Sequence, residues 1–162
     1  ADDDAVVRLL DFEYGGFRHA LYDPTAWAVL CPLPADALAA VRDAYRAELA
    51  TRAPALAGAP FDAAWAAMAC WRAIAMLGWL RAAAVAENAP WVEEWTRREA
   101  AIAACERMAA SVASVASVAS ADTRALAPLG ALGASLAAAM RARWPEYEGR
   151  STLPRWPAFD RP

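Results

Sequence analysis

Apolar and polar positions along the chain mark out one β-prone segment followed by a series of helices. Residues 5 to 13, Ala-Val-Val-Arg-Leu-Leu-Asp-Phe-Glu, follow an acidic turn (Asp2 to Asp4) and stop at Gly15-Gly16, which predicts a strand. A lone strand leaves its backbone groups unpaired and needs a partner strand. After Gly16 the period is helical. A first helix is expected at Asp23-Pro24, with Asp23 as N-cap, because proline suits the first helical position and its predecessor avoids helical angles. A second follows Pro34 and runs to about Arg52, with Leu38, Val41, Tyr45 and Leu49 on one face. Ala53 to Pro60, carrying two prolines and a glycine, reads as a connector.

The third helix, Phe61 to about Glu87, carries Trp65, Met68, Trp71, Ile74, Met76, Leu77, Trp79 and Leu80 on nearly all sides, the pattern of a central, buried helix. Asn88 to Pro90 closes it. A fourth is expected from Trp91, with Glu93 and Glu94 in its first turn and four residues ahead of Arg97 and Arg98. Its inner face would be Trp95, Ile102, Cys105, Met108 and Val112. Ser-Val-Ala then repeats three times from Ser111 to Ala119, a period that drifts around a helix and predicts fraying before Asp122. A last helix is expected from about Thr123 to Trp144. Pro145 to Pro162, with four prolines, Tyr147, Trp156 and Phe159, reads as an extended tail pinned by its aromatic side chains.

Composition narrows this to a mainly α fold. Residues 1–162 are one domain's worth of chain; 59% are apolar, about three in ten are alanine, eight are tryptophan, and there are sixteen arginines and no lysine. The expected architecture is a bundle of about five helices with a short N-terminal strand or hairpin over residues 1–16. A net charge of −3 argues against nucleic acid as a partner, since phosphate binding needs a basic excess. Cys31, Cys70 and Cys105 are odd in number and widely spaced, which indicates neither a disulfide framework nor a zinc site. The longest uncharged run, Ala125 to Met140, is broken by Pro128, Gly130 and Gly133 and falls short of a spanning helix, so no membrane is expected. With no leader pattern at the N-terminus, a cytoplasmic location is the expectation.

One histidine excludes mechanisms that need two, and there is neither a nucleophile elbow nor a Gly-rich phosphate loop. What remains is Asp11-Phe12-Glu13 at the end of the strand, followed by Tyr14-Gly15-Gly16-Phe17-Arg18-His19. Carboxylates there suit Mg²⁺ held against nucleotide phosphates; an acidic strand end entering a turn is the plain alternative. His19 reads as a packing or turn-capping residue and only secondarily as a ligand or base. Arg72 and Arg81 are expected either to pair with carboxylates, to lie at an exposed margin, or to bind an anion in an acceptor pocket. The tryptophans at 65, 71, 79, 91 and 95 read as core or interface.

The stretch Val-Val-Arg-Leu-Leu-Asp-Phe-Glu-Tyr-Gly-Gly-Phe-Arg-His-Ala-Leu-Tyr-Asp resembles the segment after the catalytic loop in the aminoglycoside phosphotransferase and choline kinase superfamily. The match covers residues 5 to 30. It implies a protein-kinase-like C-terminal subdomain, ATP and Mg²⁺ as cofactors, Asp11 as the metal-binding aspartate, Glu13 as the carboxylate that assists it, and Asp23 as a structural residue bracing the catalytic loop. The helices that follow resemble the subdomain in which those kinases hold their acceptor. The family's His-Gly-Asp base loop, its metal-binding Asn and its phosphate-clamping lysine are not in these 162 residues. The resemblance therefore implies the C-terminal portion of a small-molecule kinase, inactive alone and completed by an N-terminal kinase portion. The alternative is a stand-alone helical module that acts by association, a homodimer being its simplest form.

Overall fold

The computed structural model describes residues 19–29, 33, 35–92, 95–116 and 120–147. The expected strand at 5–13, Asp11, Glu13, Cys31, Glu93, Glu94, and the tail from 148 with Trp156 and Phe159 lie outside the described residues. Among the described residues the chain is mainly helical, with seven helices, one two-stranded hairpin and a closing 3-10 turn.

The short helix α1 spans Ala26–Val29, two residues later than expected, so Asp23 does not cap it. Residues 20–25 form turns, and the Ala26 N–H is bonded to the Asp23 carbonyl at 2.9 Å. Helix α2, Ala35–Arg52, has the expected extent. Its Leu38, Tyr45 and Leu49 pack against a small cluster of Leu21, Phe61 and Trp65. The connector contains a single helical turn, α3 (Pro54–Ala57), with proline at its start. Arg46 locks α2 to this connector, donating to the carbonyls of Ala57 and Gly58 and to Asp62, whose carboxylate also receives Arg42.

Helix α4 runs Pro60–Trp79 and not to Glu87. Arg81 breaks it, at φ 53°, before the short α5 (Ala82–Ala86). A non-glycine residue pays steric energy at such an angle, and the nearest glycine, Gly78, lies inside α4 and not at the break. The end of α5 is written in the sequence: Asn88 takes the left-handed angle (φ 55°), its N–H reaches the Val85 carbonyl, and the Ala89 N–H reaches that of Ala84. This Schellman closure is one that asparagine tolerates well.

The expected helix at Trp91 is instead an antiparallel hairpin, β1 (Pro90–Val92) and β2 (Trp95–Thr96), with Pro90 opposite Thr96 and Val92 opposite Trp95. Helix α6 begins at Arg97 and runs to Ala113. Thr96 is its N-cap: its side chain accepts from the Glu99 N–H, while the Glu99 carboxylate accepts from the Thr96 N–H and hydroxyl. The Thr-x-x-Glu signature of this capping box outweighs the acidic turn that pointed to Trp91. The expected pairs of Glu93 with Arg97 and Glu94 with Arg98 involve glutamates outside the described residues; both arginines stand in the first turn of α6. They lie over the Trp91 and Trp144 rings, at 4.9 and 5.0 Å.

Helix α6, not α4, is the central one. Ala100 to Cys105 are all buried, together with Met108 and Val112, and α6 packs against α1, α4, α5, α7 and the hairpin. Alanine permits this close approach on several sides at once. Trp71, Ile74 and Trp79 of α4, expected inside, are half exposed, at 50%, 48% and 54%. The Ser-Val-Ala stretch does stop the helix: residues 114–116 form a turn, with Val115 buried.

Helix α7 (Ala121–Arg143) opens on a second capping box, Ser120 with Thr123. It is longer than the uncharged run, and among the described residues it alone is long and apolar enough to cross a membrane by length and composition. It lies against α6, where Gly130 and Gly133 face Val112, Cys105 and Met108. The 3-10 turn Pro145–Tyr147 buries the Tyr147 ring, and the Tyr147 hydroxyl accepts from the Asn88 amide at 2.7 Å.

Candidate functional site

The segment after the Asp11-Phe12-Glu13 motif enters the described structure at His19, and here the helical body fixes it. The His19 Nδ1 accepts from the Leu21 N–H at 3.2 Å and its carbonyl from the Tyr22 N–H at 2.8 Å, so the only histidine closes a turn. Thr25, fully buried, donates its hydroxyl to the Leu21 carbonyl at 2.6 Å, and Tyr45 of α2 donates to that of Ala20. Leu21 is thereby pushed into the cluster with Phe61 and Trp65.

Arg72 holds the next residue. It is buried on α4, where an ionised side chain needs strong partners. Its Nε and a terminal nitrogen both donate to the Tyr22 carbonyl, at 2.9 and 2.7 Å, and its guanidinium lies 3.6 Å over the Tyr22 ring. Tyr22 in turn packs on Trp71, ring centroids 5.5 Å apart. The carboxylate of Asp23 is 3.8 Å from Arg72, while 91% of its side chain is exposed. Of the uses foreseen for Arg72, the structure shows pairing with a carboxylate, that of Asp23, and adds a carbonyl and an aromatic face. Arg81 lies at an exposed margin, at the kink after α4.

Asp23 also stands at the rim of a shallow groove of about 410 Å³ lined by Pro24, Trp27, Val41, Ala44 and Tyr45. Burial, and secondarily the negative charge of Asp23, raise the Tyr45 hydroxyl's pKa above the usual phenol value. The groove walls are apolar, and Asp23 supplies a carboxylate at the mouth.

No group of three or more His, Cys, Asp or Glu side chains that could hold a metal occurs among the described residues. Cys70 and Cys105 are buried free thiols pushed up to about 11, chiefly by burial, which makes them core residues and not nucleophiles. The sequence did not reveal the Tyr22–Arg72 lock, because its partners are 50 residues apart; the available signal was an arginine inside an otherwise apolar helix. No family model, no curated protein and no solved structure matches this chain.

Proposed function

We propose that this chain is the helical, C-terminal portion of a phosphotransferase acting on a small molecule, of the aminoglycoside phosphotransferase and choline kinase type. The observation that supports it best is the treatment of Asp23. The residue that the resemblance marks as a brace for the catalytic loop stands beside the Arg72–Tyr22 lock, its carboxylate 3.8 Å from Arg72 and most of its side chain exposed. A rigid base under an exposed carboxylate suits a bracing role. Asp11 and Glu13 supply two hard oxygen ligands, a donor set that fits Mg²⁺, and Mg²⁺ bound there would neutralise charge on the ATP phosphates. The base, the second metal ligand and the phosphate clamp come from polypeptide outside these 162 residues, which hold no lysine. The 162-residue chain is therefore inactive by itself, and a cytoplasmic location suits an ATP-dependent enzyme.

The test is to produce the chain together with the polypeptide encoded ahead of it and to follow Mg²⁺- and ATP-dependent phosphate transfer to amino alcohols and aminoglycosides. Transfer that disappears in Asp11→Ala is expected. The absence of an in-frame His-Gly-Asp motif upstream, or micromolar ATP binding by the 162 residues alone that Asp11→Ala abolishes, would sink the proposal.

A second reading, a module that associates with a copy of itself, is favoured by the half-exposed Trp71, Ile74 and Trp79. Sedimentation of a strictly monomeric 17.3 kDa species at micromolar concentration would remove it.

A further inference from the structure

Helix α2 is eighteen residues long, and none of residues 36–52 is buried. Helices α4 and α6, of similar length, place eight and nine residues inside. Burial of apolar surface is what chiefly holds a helix on its domain, so α2 leans on polar contacts instead. Leu38, Tyr45 and Leu49 are only partly covered where they meet Leu21, Phe61 and Trp65. The Tyr45 hydroxyl donates to the Ala20 carbonyl, and Arg42 and Arg46 converge on one carboxylate, that of Asp62, at 3.0 and 3.1 Å. That latch is incomplete. Among the described residues the buried Nε of Arg42 has no hydrogen-bond partner, and the Asp62 Oδ1 meets Arg42 as an ion pair without a directed hydrogen bond. A buried donor without a partner costs free energy in the docked state and regains water when the helix lifts.

We propose that α2, with the single turn α3, is a hinged arm that lifts off Asp62 as one unit while α4, α6 and α7 stay folded. The inference does not depend on the phosphotransferase reading. Arg46 bonds the carbonyls of Ala57 and Gly58, so α2 and α3 travel together, and Ala57 is the one buried residue that α3 brings. The arm has a fixed point at each end. Ahead of it, Leu33 is buried and its carbonyl accepts from Arg107 of α6 at 3.0 Å. Behind it, Pro60 and the buried Phe61 begin α4. Gly58 and Ala59 lie between α3 and α4 and are the place where the chain turns. Val41, Ala44 and Tyr45 form the α2 wall of the groove beside Asp23, whereas Trp27 belongs to α1, which stays behind. Lifting the arm therefore widens that groove and uncovers Phe61 and Trp65, so the arm controls access to both.

The test is native-state hydrogen exchange of the 162-residue chain in low urea, read by mass spectrometry over residues 36–52 and over residues 100–112 of α6. A released helix of this length is marginal in water, so its amides exchange once the arm lifts. Residues 36–52 should exchange together, about a hundredfold or more faster than those of α6 and with weak dependence on urea. Asp62→Asn should speed exchange in α2 by about three- to tenfold more and leave α6 unchanged, and molar salt should act in the same direction. Asp62 stands in the first turn of α4, so Tyr45→Phe, which removes only the bond to Ala20, serves as a second variant with the same expectation. Equal rates and equal urea dependence in α2 and α6 overturn the inference. So does a graded rise confined to the ends of α2, which is fraying, or an equal acceleration of both helices in both variants.

Discussion

The guanidinium of Arg72 lies 3.6 Å over the Tyr22 ring while donating two hydrogen bonds to the carbonyl of the same residue. One buried cation thus fixes both the backbone and the side chain of the segment that presents Asp23. Arg72→Met keeps much of the apolar stem and removes every guanidinium donor, so the Tyr22 carbonyl loses two charge-assisted hydrogen bonds and retains the Thr25 hydroxyl at 3.2 Å. The expected loss is about 2–4 kcal/mol, read as a lower urea midpoint. Arg72→Lys should recover only part of it, since a lysine cannot place two donors on one carbonyl and lie flat on the ring. Equal stability of the wild type and Arg72→Met would show that the lock contributes nothing.

Two glycines in helices should respond oppositely to alanine. A Cβ at Gly133 would meet the Cys105 carbonyl oxygen at 2.7 Å and the Ala109 nitrogen at 3.1 Å, both backbone atoms of α6. Helix α7 would have to move away, so Gly133→Ala should cost about 1–3 kcal/mol despite alanine's higher helix propensity. At Gly78 a Cβ meets nothing within 4 Å. There the propensity gain stands alone, and Gly78→Ala should stabilise by up to about 1 kcal/mol. Thermal melts of the two variants, moving in opposite directions, are the check.

The capping box of α6 offers a third measurement. Thr96→Ala deletes the oxygen that accepts from the Glu99 N–H and should cost about 1 kcal/mol. Thr96→Ser keeps that oxygen and should lie close to the wild type. If Ser and Ala prove equally harmful, the packing of the threonine methyl matters and the cap does not.

Stability should fall in alkali. Cys70 and Cys105 have thiols pushed from 9.0 to about 11 by burial, with the charge of Glu106 adding to the effect at Cys105. Unfolded, each loses its proton from about pH 9; folded, it holds it until about pH 11. The native state then binds more protons over that window, so its stability is full below pH 9 and declines as pH rises toward 11. Tyr45, also raised, acts in the same direction above pH 10. Urea midpoints measured across the window should fall less steeply in Cys70→Ala with Cys105→Ala. An unchanged slope in that double variant would assign the alkaline loss to other groups. Near neutral pH, both thiols should react with a disulfide reagent only as fast as the protein opens.

Where local chemistry decided the structure, the chain could be read directly. The extent of α2 followed from its apolar face, the fraying after Ala113 from a three-residue repeat, and the closure at Asn88 from a residue that accepts left-handed angles. Where two local signals competed, the stronger one was legible only with hindsight: Glu93 and Glu94 suggested a helix start, but Thr96 and Glu99 set it. His19 was readable as a turn residue, and its Nδ1 does close one. The candidate site was readable in part. Asp23 stood out by resemblance, whereas the groove beside it, walled by Trp27 from α1 and Tyr45 from α2, required the two helices to meet.

By itself the sequence determined the helical class, because alanine-rich segments with 3.6-residue periodicity have no competitive extended alternative. It also determined that these 162 residues hold no lysine with which to clamp a phosphate. Only the tertiary structure decided which helix is central. A helix of tryptophans looks more buried than one of alanines, yet bulky side chains keep neighbours at a distance while small ones let several approach together. Hence α6 occupies the middle, with Ala100 to Cys105 enclosed, and α4 is left with Trp71, Ile74 and Trp79 facing outward.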